Sequence, residues 1–263
     1  MKRLNLISLP LLLILTLPLW SDDGSWAATS LIIEGALYIQ DEHPFIELEK
    51  EFLIFEGFDS QKTQAVFFFK NSSDNGTEIE AGFPVLAEIE LVIDEDKDRF
   101  YIGQGQYGDE GGSLDIAKAA FGPKLKNDKD LNDDDYWDMS PYYINIDESS
   151  GRTRVDRKDF YDIFNFQIEE NGDEIFWDYV VIETEINREK YSSTARITFH
   201  FHHVLQFSAR AVSEVSISYY SNLLTGESNN GFAFERYYNW RYFLGTGATW
   251  KNPIGVLYLI MPA

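Results

Sequence analysis

Thr63-Gln64-Ala65-Val66-Phe67-Phe68-Phe69-Lys70, Asn71-Ser72-Ser73-Asp74-Asn75-Gly76-Thr77 and Glu78-Ile79-Glu80-Ala81-Gly82-Phe83 follow one another without a gap. The outer two runs are rich in aromatic and β-branched residues, which fit a pleated, half-buried surface. The middle run is polar and contains Asn-Gly, a pair that tolerates the positive φ angles of a tight reversal. Strand, turn, strand is the expectation, with the two strands paired as a hairpin.

The same texture continues on both sides. Leu31–Ile39 and Phe45–Phe55 read as strands. In the second, Ile46, Leu48, Phe52 and Ile54 are expected on one face and Glu47, Glu49 and Glu51 on the other, with Lys50 interrupting the alternation. Glu88–Ile93 and Arg99–Ile102 form a further pair around the acidic Asp94–Asp98. Phe160–Ile168 and Ile175–Ile186 flank a second Asn-Gly turn at Asn171-Gly172. Thr194–Phe207, Val212–Tyr220, Phe232–Leu244 and Ile254–Ile260 complete the strand candidates. Short alternating strands at turn-marked spacing predict an all-β chain, an antiparallel β-sandwich in preference to a barrel.

Residues 103–157 break the pattern. Five glycines lie between 103 and 112, Leu114–Phe121 has the makings of a short helix, and Asn127–Asp138 is strongly acidic. Its apolar residues are too few to close a separate core, so it is expected as an acidic, partly helical insertion within one domain.

The first residues are Met1-Lys2-Arg3, followed by an apolar run to Trp20 that Pro10 and Pro18 interrupt. A basic start, a short apolar core and small residues at Ser25 and Ala27 predict a signal-peptide helix over 1–27. Residues 28–263 are then one exported domain, periplasmic or secreted, with no integral membrane span after cleavage. The formal charge is −22, which opposes binding to nucleic acid or to anionic lipid. There is no cysteine, which excludes disulfides, thiolate catalysis and cysteine-based metal sites.

Few side chains suggest chemistry. Phe199-His200-Phe201-His202-His203 is the one histidine cluster, and on a strand His200 and His202 share a face. With a carboxylate from a neighbouring strand, or with His43, they are a candidate zinc or copper site. Asp128, Asp130, Asn132 and Asp134 alternate as oxygen ligands do in calcium loops, but the sixth-position glycine and closing glutamate are missing. Weak calcium or zinc is therefore the extent of the cofactor expectation; solvated acidic loops and hydrogen-bonded strand histidines are the plainer alternatives. Tyr136, Trp137, Trp177, Tyr237, Tyr238, Trp240 and Trp250 are the candidate ligand-stacking aromatics, with core or sheet-face packing as the alternative for most of them. No Gly-x-Ser-x-Gly, His-Glu-x-x-His or phosphate-cradling loop is present.

Trp240-Arg241-Tyr242-Phe243-Leu244-Gly245-Thr246-Gly247-Ala248-Thr249-Trp250-Lys251-Asn252-Pro253-Ile254-Gly255 places two indoles around a glycine-rich turn. From Tyr242 to Gly255 it resembles the C-terminal signature of an exported bacterial domain family of unknown function. The Phe67–Ser73 run with Ala81-Gly82-Phe83-Pro84 is similar to that family's N-terminal motif, and Thr198-x-His200-x-His202 to its histidine strand. The resemblance implies a signal-bearing, β-rich envelope protein and no particular activity. The expected function is a non-enzymatic structural or binding module of the cell envelope, its partner an envelope component or glycan. Carbohydrate or peptidoglycan binding and a metal-dependent hydrolase or metal-binding role at His200 and His202 are the alternatives.

Overall fold

The computed structural model describes residues 37–39, 43–56, 62–103, 110–129, 139–188, 193–220, 224–229, 234–239 and 256–260. The proposed signal peptide, the acidic residues 130–138 and the segment 240–255 lie outside them. The strands are β1 (Tyr38–Ile39), β2 (Ile46–Phe55), β3 (Lys62–Asn71), β4 (Thr77–Asp94) and β5 (Arg99–Gly103). After α1 (Glu110–Phe121) come β6 (Lys126–Asn127), β7 (Met139–Asn145), β8 (Gly151–Asp156), β9 (Gln167–Glu170), β10 (Asp173–Ile175) and β11 (Tyr179–Arg188). The remainder are β12 (Ser193–Phe207), β13 (Val212–Tyr220), β14 (Leu224–Asn229), β15 (Phe234–Asn239) and β16 (Val256–Ile260). No described helix is long and apolar enough to cross a membrane.

Two sheets hold the core between them. One is ordered β6-β7-β5-β4-β12-β11-β8, with β1 alongside β4; the other is β10-β9-β13-β3-β2-β16. Pairing is antiparallel except where β16 runs parallel to β2. β14 and β15 form a separate hairpin. The expected all-β sandwich is the fold observed.

The opening stretch departs from expectation. β3 and β4 are not partners: β3 pairs with β2 and β13, while β4 pairs with β12, β5 and β1. Residues 72–76 carry the chain from one sheet to the other as an arch. Gly76 does not adopt a positive φ, so its Asn-Gly pair forms no tight hairpin turn. The reversal is made by Asn71, which is 1% exposed. Its Oδ1 accepts the Ser73 N–H at 2.9 Å, and its Nδ2 donates to the Asn75 carbonyl at 2.9 Å and the Ser208 carbonyl at 3.2 Å. Ser208 belongs to a second arch, between β12 and β13. Arg210 donates its N–H to the Ser73 carbonyl at 3.0 Å and binds Asp74 through its side chain. The two crossings brace each other. Phe67 and Phe83 consequently face across the core as an edge-to-face pair, 6.3 Å between centroids.

Asn171-Gly172 behaves as expected. Both residues have positive φ (54° and 85°), and β9 and β10 pair directly around them, Glu170 opposite Asp173. Phe160–Ile168, expected as a strand, follows a single 3-10 turn that ends at Asp159 and is irregular until β9 begins at Gln167. The Asp162 carboxylate accepts the backbone N–H groups of Phe164 and Phe166 and turns the chain inward. Phe160, Phe164 and Phe166 then close on Phe199 and Phe201 with Trp177, which is buried as core.

The segment 103–157 also does more than cover the domain. α1 buries Ile116, Ala117, Ala119 and Phe121 in the core, while β7 and β8 extend opposite sides of the eight-stranded sheet. β4 is one strand of 18 residues, running through Pro84 rather than stopping at it. β12 pairs along one side of Pro84; along the other, no described strand pairs between β1 at Gly82 and β5 at Leu91. A proline lacking an N–H is tolerated beside such an open stretch.

The face assignment expected for β2 holds only for its first half. Register shifts between Leu48 and Lys50, a β-bulge with Glu49 as the extra residue. Ile46 and Leu48 point inward before it; Glu51, Leu53 and Phe55 do so after it. Phe52 turns outward instead and stacks on Tyr258 of β16, with centroids 4.5 Å apart. Glu51 is 0% exposed, and neither carboxylate oxygen has a hydrogen-bond partner among the described residues.

Candidate functional site

Alternation along a strand decides which of the clustered histidines meet. Phe199, Phe201 and His203 point into the sandwich; His200 and His202 point out of it, on the far face of the eight-stranded sheet. His203 is fully buried, and neither ring nitrogen reaches a hydrogen-bond partner among the described residues. Burial drives its pKa down to about 3, against a smaller opposing effect of the Phe201 backbone.

On the outer face, β8, β11, β12 and β4 lie side by side. Opposed positions place Tyr179 between His202 and Asp156, and Glu183 between Thr198 and Arg152. The Tyr179 ring stacks on His202 at 4.6 Å and 11°, and the Arg154 guanidinium lies 3.4 Å from the centroid of the Tyr179 ring. The tyrosine hydroxyl donates to Glu80 Oε1, which also lies 3.4 Å from His202 Nδ1. One site thus holds an arginine, a tyrosine, a histidine and a glutamate. Burial is the main cause lifting the Tyr179 pKa to about 12, helped by the Glu80 hydrogen bond. Burial likewise lowers His202 to about 4, more than Glu80 raises it, so the ring is neutral near neutral pH.

A second group lies one step along. His200 Nε2 is 3.5 Å from Glu183 Oε2, and Arg152 Nε is 3.2 Å from Glu183 Oε1. The His200 contact is the leading cause holding the Glu183 pKa low against desolvation. Further along, Arg196 pairs with Glu88 at 3.2 Å. An open cleft of about 450 Å³ lies there, lined by Glu88, Glu185, Ile186, Asn187, Thr194 and Arg196. Hydrogen-bond donors and acceptors of both charges are therefore spread over a rigid sheet face, suited to holding a polar ligand by several weak contacts.

His200 and His202 do share a face, but each stands beside its own glutamate. His43 is elsewhere, its Nδ1 accepting the Phe45 N–H at 3.4 Å. Among the described residues no three histidine, aspartate or glutamate side chains form a group that could hold a metal ion. Asp128 lies at the other end of the same face. Its Oδ2 accepts the Tyr101 hydroxyl at 2.6 Å and Arg99 Nη1 at 2.9 Å, with Lys97 at 3.9 Å. Two cations already neutralise that carboxylate, which disfavours calcium there. Asp130, Asn132, Asp134, Tyr136, Trp137, Trp240 and Trp250 lie outside the described residues. Sequence reasoning missed Tyr179, Glu183, Arg152 and Arg154. The alternation of Arg152-Thr153-Arg154 was the available signal, masked by its place in a segment that reads as a loop.

Neither a family model nor a curated protein matches this chain. Among solved structures it is similar to a protein of Legionella pneumophila described as a candidate nutrient-binding protein, with 11% identity and a TM-score of 0.28. That match covers 71% of this chain and 42% of the other, so the chain spans less than half of the protein it matches.

Proposed function

We infer that the protein is an exported, non-enzymatic binding module of the cell envelope, and that it binds through the outer face of its eight-stranded sheet. The observation that carries this reading is the line of Arg154, Tyr179, His202, Arg152, Glu183 and His200 across three adjacent strands, beside an open polar cleft. Side chains held in place by stacking and by carboxylates lose little freedom on binding, and so favour recognition. A carbohydrate reading has one specific support on the other sheet: Tyr258, 44% exposed, stacks on Phe52 beside Phe68, an aromatic surface open to a sugar face.

Amide chemical-shift mapping on the full chain separates these. Soluble peptidoglycan fragments, zinc, calcium and an acidic peptide are titrated in turn. Shifts clustering on β8, β11 and β12 for at least one probe are expected. Shifts confined to β2, β3 and β16 with a glycan would favour the carbohydrate surface. A turnover abolished by changing one carboxylate would overturn the non-enzymatic reading.

A further inference from the structure

β8 and the turn after it, Gly151-Arg152-Thr153-Arg154-Val155-Asp156-Arg157-Lys158, carry four cations in a chain whose net charge is −22. Among the described residues β8 pairs with β11 alone and is the last strand of its sheet. Residues 151–154 and 156–159 are exposed. The Arg157 N–H donates to the Asp178 carbonyl at 3.1 Å, which fixes the phase of the ladder. Alternation then directs the backbone N–H and C=O of Arg152, Arg154 and Asp156 away from β11, where an added strand would meet them.

The side chains are arranged for the same purpose. The Arg154 guanidinium stands 3.4 Å over the Tyr179 ring and that of Arg157 4.1 Å over Phe176, itself 59% exposed. Neither arginine makes an ion pair within 4.0 Å among the described residues. Stacking uses the face of a guanidinium and leaves its in-plane N–H donors for a carboxylate. Lysine and arginine on an edge ordinarily keep other strands away. On a protein this acidic a basic edge does the opposite for one class of partner: it repels basic strands and attracts acidic ones.

We propose that the free edge of β8 docks an extended acidic segment of a partner protein, which adds to the eight-stranded sheet as a further strand. Its acidic side chains meet Arg152, Arg154 and Arg157, and an apolar one lies beside Phe176. Strand addition of this kind draws affinity from main-chain hydrogen bonds and specificity from alternate side chains. The assignment rests on the binding-module reading above and names its partner.

The test uses the full chain and a fluorescent octapeptide alternating glutamate with threonine and leucine. The controls are the same peptide with a central proline and a sulfated polysaccharide. Anisotropy at about 50 mM salt should show binding of the first peptide, weakened about tenfold or more by Arg154→Glu with Arg157→Glu and by raised salt. The Arg152, Arg154 and Asp156 amides should exchange more slowly in its presence. Circular dichroism of the double variant checks that these exposed changes leave the fold intact; if they do not, Asp156→Pro, which removes an N–H facing away from β11 at a residue whose φ of −67° already suits proline, gives an independent loss of strand addition. Equal binding of all three probes without amide protection would overturn the proposal, as would no binding at low salt. Self-association lost in the double variant would overturn the choice of occupant, since the edge would then take a second copy of this chain. If the acidic peptide fails while another ligand still maps to β8, β11 and β12, this inference falls and the binding-face reading stands.

Discussion

Glu51→Leu is expected to stabilise the protein, by about 3 kcal/mol more at pH 8 than at pH 4.5. The bulge in β2 turns Glu51 inward, where its cross-strand neighbours are Phe67 of β3 and Leu257 of β16. Among the described residues, burial alone raises its carboxyl from 4.5 to about 7. Glu170 shows what Glu51 lacks, since it accepts the Gln206 N–H at 3.0 Å. The folded state therefore binds the Glu51 proton more tightly than the unfolded chain does. Its stability is intact below the unfolded value near 4.5 and is lost as pH rises towards 7, with a flat plateau above. Leucine removes the group and the loss together. Glu51→Gln should remove the pH slope without the full gain, because the amide is still unsatisfied. Urea unfolding midpoints at several pH values between about 4.5 and 8 measure this. Parallel curves for wild type and Glu51→Leu would show that Glu51 does not titrate in the interior.

Phe201→Ala should produce the largest loss, about 3–5 kcal/mol. The ring is 0% exposed and stacks on Phe166 at 4.0 Å and 7°. Trp177, Phe160 and Phe164 meet it edge-on at 5.2, 5.8 and 6.1 Å. An alanine leaves a cavity between rigid rings that cannot all move in. Phe176→Ala, exposed in the connection between β10 and β11, should change the same midpoint by about 0.5 kcal/mol or less. Similar losses for the two variants would contradict the assignment of Phe201 to the core and Phe176 to the surface.

The strands were legible because alternation survives in one dimension; their partners were not. The same Asn-Gly pair marks a hairpin at Asn171-Gly172 and an arch at Asn75-Gly76. The difference lies in a buried Asn71 whose amide reaches Ser208, 137 residues away in sequence. The inward side of β2 reads correctly to Leu48 and reverses beyond it, because a single bulge shifts the phase of every later side chain. Lys50, where the alternation fails, marked the place. His200 and His202 were legible as residues on one face, but their surroundings were not. Tyr179, Glu183 and Glu80 come from β11 and β4, and Arg152 and Arg154 from a strand set among acidic, glycine-rich text. Local sequence identifies β-prone runs; which run lies beside which depends on the long-range pairing of the sheets.

That pairing can be tested directly, because the chain has no cysteine to confuse a crosslink. Arg152 and Glu183 are opposed on β8 and β11, at a position without ladder hydrogen bonds, where Cα atoms approach to about 4.5 Å and a disulfide fits. Lys70 and Glu78 would be opposed only if β3 and β4 formed a hairpin. Mild oxidation of Arg152→Cys/Glu183→Cys should give an intramolecular disulfide in high yield, and Lys70→Cys/Glu78→Cys should give none. A disulfide in the second pair and none in the first would contradict the two-sheet arrangement on which the binding face depends.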